Sequence, residues 1–410
     1  MAHSRTAFIR SERVAAVLLL AAAALGLLAA NTAVGPALME VQDAHLAIPG
    51  TPLDLSVGHW ISDGLLAVFF FVVAVELKNE FTVGQLNSVS KAVRPAIAAL
   101  GGVLVPALIY LAVTAGSGYE GGWPIPTATD IAFALGVLAV FGKGLPSRLR
   151  IFILALAILD DIVAILIIAV FFTTAPNLLL LAAAAVGVVA FGLLSRLLLT
   201  DRVTGSPGLR MLVAVALIAI GIVTWSLVYL SGVHATIAGV ALGLAMVRVP
   251  AMHVRHALEP VTNGVILPLF AFSAALVAIP QVAPAQLAPA FWGILIALPV
   301  GKLIGITLGG WLAGFVGPRT DERGRHPHLS LPALITAGAL GGVGFTVSLL
   351  MNELAFAGAP EVADEGTLAV LLGSAVSIVL AAVLVSRLAA PYRRRLRRES
   401  STVDSTIHPA

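Results

Sequence analysis

The sequence predicts an all-α polytopic membrane protein of about twelve transmembrane helices, with an inverted repeat and two interrupted, crossing helices in spans four and eleven. Three observations predict it. The 410 residues are 59% hydrophobic and only 11% charged, with a mean hydropathy of +1.02, a composition of membrane chains. The apolar stretches are each long enough to cross a bilayer as a helix, about 20 residues, and none shows the short alternating strands of a barrel. The loops between them carry a strongly one-sided distribution of basic residues.

The first span covers 14–34. Arg5, Arg10 and Arg13 precede it as in a signal peptide, but its length marks an uncleaved helix. The rest of the first half reads 59–77, 95–115, 124–141, 151–172 and 178–199. The second half reads 211–230, 233–247, 261–279, 288–313, 331–352 and 367–389. With the N-terminus inside, the outside loops 35–58, 116–123, 173–177, 231–232, 280–287 and 353–366 hold no Lys or Arg. Of the 24 basic residues, all but Lys302 fall in inside segments or at helix ends facing them. Both termini are therefore expected to be cytoplasmic. The whole of 1–390 reads as one transporter domain. Residues 391–410 read as a basic, then polar tail that rests on anionic lipid and becomes disordered.

The stretch IFILALAILDDIVAILIIAVFF, residues 151–172, holds Asp160 and Asp161 at its centre. Charge is costly there, and carboxylates in mid-span mark an ion or proton pathway. Lys302 lies within LIALPVGKLIGITLGGW. It needs a partner, for which the aspartates are candidates. The alternative is a lysine snorkelling to the interface, which its depth in the apolar stretch disfavours.

Span four opens WPIPTATDIAFALGV, with Pro124 and Pro126 ahead of Asp130, and span eleven contains AGALGGVGFTVS, with Gly338, Gly341, Gly342 and Gly344. Proline removes a backbone donor and clustered glycine weakens a helix, although glycine also serves close packing in membranes. The triplets about 95–172 and 288–389 lie an odd number of helices apart, so they run in opposite directions. Two such triplets with interrupted middle helices fit an inverted repeat, with binding near the midplane. Crossed half-helices bring positive and negative ends together. Asp130 and Lys302 have the signs to balance them, so Asp130 reads as a compensator at least as readily as an ion ligand. Asp160 and Asp161 are about 100° apart around their helix. One can face Lys302 while the other faces a water-filled cavity.

Other chemistries find little support. Zero cysteines exclude disulfides and thiolate sites. A net charge of +3 gives no nucleic-acid surface. No cofactor motif is present.

The stretches ISDGLLAVFFFVVAVELKNE, IPTATDIAFALGVLAVFG, LALAILDDIVAILIIA, SGVHATIAGV, ILPLFAF, GKLIGI and GVGFTVS resemble the bacterial NhaA-type sodium/proton antiporters, across spans two to eleven. The resemblance implies a transporter, not an enzyme: an electrogenic exchanger of Na⁺, and also Li⁺, for H⁺ by alternating access, in the bacterial plasma membrane, serving sodium and pH homeostasis. It implies Asp161 as the principal ion- and proton-binding carboxylate, with sodium held at Asp161 and Asp160. Asp160 resembles the neighbour that pairs with Lys302, and Thr129 and Asp130 resemble the residues of the broken helix. Asp63 and Glu76 resemble acids of span two that affect access and pH response. His234 resembles the histidine of SGVHAT, although by itself it reads as a packed polar residue at a helix end.

Two stretches depart from the family. The entrance before span nine has Arg255, His256, Glu259 and Pro260 where the family carries Glu-His and then His before the proline. Arg255 and Glu259 thus exchange acid for base, which affects the pH-response assignment of that cluster, including His256. The asparagine after ILPLFAF is replaced by Ser273, Ala274 and Ala275.

Residues 35–58, with the alternation LDLSV, read as either a small hairpin, which the resemblance ties to a homodimer contact, or an ordinary loop. Two other functions fit parts of the pattern. A sodium-coupled symporter of an organic solute would need an anion clamp, and Lys302 is the one core cation. An intramembrane aspartyl protease would need a Gly-x-Gly-Asp motif, and neither Asp130 nor Asp161 is in one.

Overall fold

The structure is a computed structural model and describes residues 12–173, 175–316 and 329–407; Arg5 and Arg10 lie outside them. Among these residues ten helices are long and apolar enough to cross a membrane, and a bent pair makes an eleventh. The position expected for span eight, 233–247, is the ten-residue helix Thr236–Ala245. Ten residues rise only about 15 Å, half of a hydrocarbon core, so this helix does not span alone.

The chain divides into two compact units.

One unit gathers Val17–Asn87 and Ile165–Ala278. It holds α1 (Glu12–Ala30, from Val17 on), α2 (Gly35–Asp43) and a hairpin of β1 (His45–Ala47) and β2 (Asp54–Ser56). Leu46 faces Leu55 across its antiparallel register. The alternation in LDLSV thus makes a strand, with Leu55 turned inward and Asp54 outward. Later in the chain come α3 (Val57–Thr82), α7 (Leu178–Ser195), α8 (Pro207–Leu230), α9 (Thr236–Ala245) and α10 (Arg248–Ala274). Val75, Phe191, Val213, Leu217 and Leu242 pack as one of its apolar clusters.

The other unit gathers Ser88–Ala164 and the chain from Ile279 onward, with Ser11–Ala16. Those two long segments hold most of the stretches 95–172 and 288–389. They comprise α4 (Val89–Thr114), α5 (Ile131–Phe141), α6 (Ser147–Phe171, to Ala164), α11 (Pro289–Phe315), α12 (Leu331–Gly341), α13 (Phe345–Ala355) and α14 (Pro360–Ile407). Helices α4 and α11 approach closely through glycine. A Cβ on Gly101 would meet the Gly305 carbonyl, and one on Gly305 would meet that of Gly101.

Both expected interruptions are present. A 3₁₀ turn at Ile125–Thr127, holding Pro126, gives way to extended backbone before α5. Helices α12 and α13 bend by 49° at their break, beside Gly341, Gly342 and Gly344. Three further irregularities were not expected from the sequence, although Pro260 and Pro299 stand at two of them. Single π-helical stretches occur at Trp60–Leu65 in α3, Thr262–Ile266 in α10 and Ala297–Gly301 in α11. The π stretch in α3 contains Asp63, and the one in α11 ends directly before Lys302, in keeping with their frequent place at functional positions.

The backbone of α14 is helical from Pro360 through Ile407, with Pro391 inside it.

Candidate functional site

The centre of α6 carries Asp160, and α11 and the break before α5 deliver the groups that meet it. Lys302 Nζ donates to Asp160 Oδ2 at 2.7 Å, with both side chains wholly buried. The snorkelling alternative for Lys302 therefore fails, since a snorkelling amine reaches water. Thr129, in the extended segment before α5, places its hydroxyl 2.6 Å from the same Oδ2 and 2.8 Å from the carbonyl of Gly341, the last residue of α12. One hydroxyl proton serves one acceptor at a time, so Thr129 can switch between them. Asp160 Oδ1 is buried with no hydrogen-bond partner. A buried acceptor left so is costly and calls for a ligand, a proton or a water.

Asp161 follows on the next helical step and is 9% exposed, against 2% for Asp160. The 100° rotation between them shows in their surroundings: Asp160 takes Lys302, and Asp161 is the more open of the two.

Asp130 does something different. Its Oδ1 accepts from the backbone N–H groups of Ala132 at 3.0 Å and Phe133 at 3.4 Å, capping α5. Its Oδ2 accepts from the Thr346 hydroxyl at 2.7 Å and the Thr346 N–H at 3.3 Å, in the first turn of α13. One carboxylate thus sits on two helix N-termini, where negative charge is favoured. The Asp130 N–H also donates to the Val343 carbonyl at 2.6 Å, tying the breaks together. One side chain thereby caps the starts of α5 and α13.

Lys302 was expected beside a negative half-helix end. Among the described residues its hydrogen bond goes to Asp160, and the Gly341 carbonyl is met by Thr129 instead.

The remaining predicted residues belong to the other unit. Asp63 Oδ1 lies 3.2 Å from His234 Nε2, and both side chains are largely buried. The Trp225 indole donates to the Asp63 carbonyl at 2.9 Å, and His234 Nδ1 lies 2.8 Å from the Thr236 hydroxyl. His234 is therefore both a packed helix-end residue and the partner of an acid. Arg255 Nη2 meets Glu76 Oε2 at 3.1 Å. His256 stands 3.7 Å from Glu259 on the same helix face, at a more exposed position.

Sequence reasoning missed three contributors. Thr346 was not singled out, although its place two residues after Gly344 in GVGFTVS puts a hydroxyl at a helix start. Ser374 on α14 accepts from the Phe345 N–H at 3.3 Å, and nothing in its apolar context signals this. Lys78 donates to the Leu244 and Met246 carbonyls at 2.7 and 2.8 Å, closing the C-terminal end of α9.

Residues 6–385 match the family model described as Na+/H+ antiporter 1. A relative from Clavibacter michiganensis subsp. michiganensis, called Na(+)/H(+) antiporter NhaA 2, is 60% identical over 399 residues, covering 97% of this chain and 95% of its own. Relatives called Na(+)/H(+) antiporter NhaA are 45% identical in Tropheryma whipplei strain Twist, covering 92% and 94%, and 44% identical in Streptomyces avermitilis, covering 97% and 84%.

Proposed function

This chain belongs to the Na+/H+ antiporter 1 family, and from that premise we propose that it exchanges sodium, and lithium, for protons across the plasma membrane, using Asp161 and Asp160 as the competing binding groups. The observation that carries the reading is the buried Asp160 carboxylate with one oxygen held by Lys302 and Thr129 and the other unpartnered, one residue from the more open Asp161.

The chemistry is competition. A carboxylate oxygen accepts either a proton or a sodium ion, and each cation neutralises the same charge. Sodium arriving at Asp161 and Asp160 displaces protons, and protons arriving displace sodium. If only loaded forms pass between inward- and outward-facing states, the result is exchange. Two titrating carboxylates carry two protons against one sodium, so each cycle moves one net charge and responds to the membrane potential. High pH favours the sodium-loaded form. No covalent step or cofactor is invoked.

Lys302, Thr129 and Asp130 act as supports: the lysine holds Asp160, and Asp130 stabilises two half-helix starts. Asp63 with His234, and Glu76 with Arg255, His256 and Glu259, tune access and pH response. The hairpin 45–56 offers a homodimer contact, supported by Leu46 and Ile48, which are 56% and 42% exposed. Both termini lie on the cytoplasmic side, as the loop charges argue. The organic-solute symporter loses its clamp, because the Lys302 ammonium is committed to Asp160.

The test is a pH-gradient measurement in proteoliposomes with Na⁺, Li⁺ and K⁺ added in turn. The expected result is dissipation by Na⁺ and Li⁺ at alkaline pH. A response that requires an organic solute overturns the proposal.

A further inference from the structure

A groove of about 620 Å³ opens between the end of α3, the last turns of α7 and the junction of α9 with α10. Its cations come from three separate segments: Lys78, Arg196 and Arg248. Its walls are apolar, with Val189, Leu193 and Leu199 being 60%, 55% and 50% exposed. None of the residues lining it is acidic. The Lys78 ammonium is turned to the Leu244 and Met246 carbonyls. The Arg196 and Arg248 guanidinium groups have no hydrogen-bond or ion-pair partner among the described residues.

We infer that this groove binds one anionic glycerophospholipid, with its phosphodiester between Arg196 and Arg248 and an acyl chain along Val189 and Leu193. Two guanidinium groups lining one groove without an acid repel each other, and the phosphate of a phosphodiester offers oxygens to both. The exposed valine and leucine directly beside them suit a chain of methylenes and not a soluble anion. Basic pockets between transmembrane helices at their basic ends are the usual shape of anionic-headgroup sites. The site lies apart from Asp160 and Asp161 in sequence and is independent of which ion is carried.

The test uses the purified full chain in detergent, titrated with phosphatidylglycerol or with phosphatidylcholine of the same acyl chains, and read by native mass spectrometry as lipid retained. The expected result is selective retention of phosphatidylglycerol. Each arginine is worth about a fivefold change in affinity, the equivalent of about 1 kcal/mol. The variant Arg196→Gln/Arg248→Gln should therefore bind about 25-fold more weakly, while Lys143→Gln, outside the groove, binds like the parent. If the double variant does not fold, the single variants Arg196→Gln and Arg248→Gln each carry the fivefold expectation. Equal retention of the two lipids, or unchanged retention in the variants, overturns the proposal. So does full competition by soluble glycerol phosphate, which would make the groove a site for small anions and not for lipid.

Discussion

Lys302 Nζ and Asp160 Oδ2 stand 2.7 Å apart with neither side chain reaching the surface, and the second oxygen of that carboxylate has no partner. The pair is thus half of a coordination arrangement. One oxygen is fixed by an ammonium and a hydroxyl, and its twin is held ready in a dry place. A charge taken this far from water is tolerated only because its partner is present.

Removing that partner should be costly. Lys302→Ala leaves Asp160 ionised and buried, and breaking such a pair costs about 3–5 kcal/mol. Removing both charges with Asp160→Asn and Lys302→Gln should recover much of the loss. Thermal melting of the four proteins in detergent makes a double-mutant cycle. Strictly additive effects would show that the two residues do not stabilise one another.

Asp161→Asn should abolish sodium-driven proton movement while the protein still inserts and folds. Asparagine keeps the shape but can neither release a proton nor supply a full negative charge. Everted vesicles with matched protein levels are suited to the measurement. Undiminished exchange by a well-expressed variant would remove Asp161 from the binding site.

Much of this arrangement was legible because membranes make charge conspicuous. Asp160, Asp161 and Lys302 stand out in apolar helices, and Pro126 and the glycines at the junction of α12 and α13 announce the breaks. Other parts left no such trace. A π stretch inserts one residue into a helix and has no fixed residue pattern, and Gly64, Pro299 and Gly301 also occur in regular membrane helices, so Trp60–Leu65 and Ala297–Gly301 were not told apart from them. The shortness of α9 is hidden because Val233, Ala235, Met246 and Val247 extend its apolar run beyond Thr236–Ala245. Which acid Arg255 meets was not legible either. Glu76 lies on a distant segment of chain, and local reasoning weighed only its neighbours His256 and Glu259.

Thr129 offers a finer test of the centre. Thr129→Val removes the one hydroxyl that reaches both Asp160 and the Gly341 carbonyl. Leaving a buried acceptor without its donor costs about 1–3 kcal/mol, so the melting temperature should fall, and sodium affinity should weaken with it. Thr129→Ser keeps the hydroxyl and should retain most of both. If valine and serine behave alike in the sodium dependence of exchange, the hydroxyl has no part in holding Asp160.

The last prediction concerns Arg255 and Glu76. A sequence argument would treat Arg255 as the neighbour that repels charge from His256. In the structure its guanidinium is turned to Glu76 on α3, at 3.1 Å. It joins α3, which carries Asp63, to α10, which carries His256 and Glu259. Restoring a family-like acid with Arg255→Glu would therefore set two carboxylates face to face. The variant should lose stability and show a displaced activity–pH profile, because like charges at this distance oppose the packing of α10 on α3. The reversed pair Glu76→Arg/Arg255→Glu restores attraction in the opposite order and should return the profile most of the way. A partly exposed pair is worth about 1 kcal/mol or less to stability, so transport across the pH range at fixed sodium is the sensitive readout. Should the reversed pair track the single variant, the contact does not couple the two helices, and the pH response must be sought at His256 and Glu259.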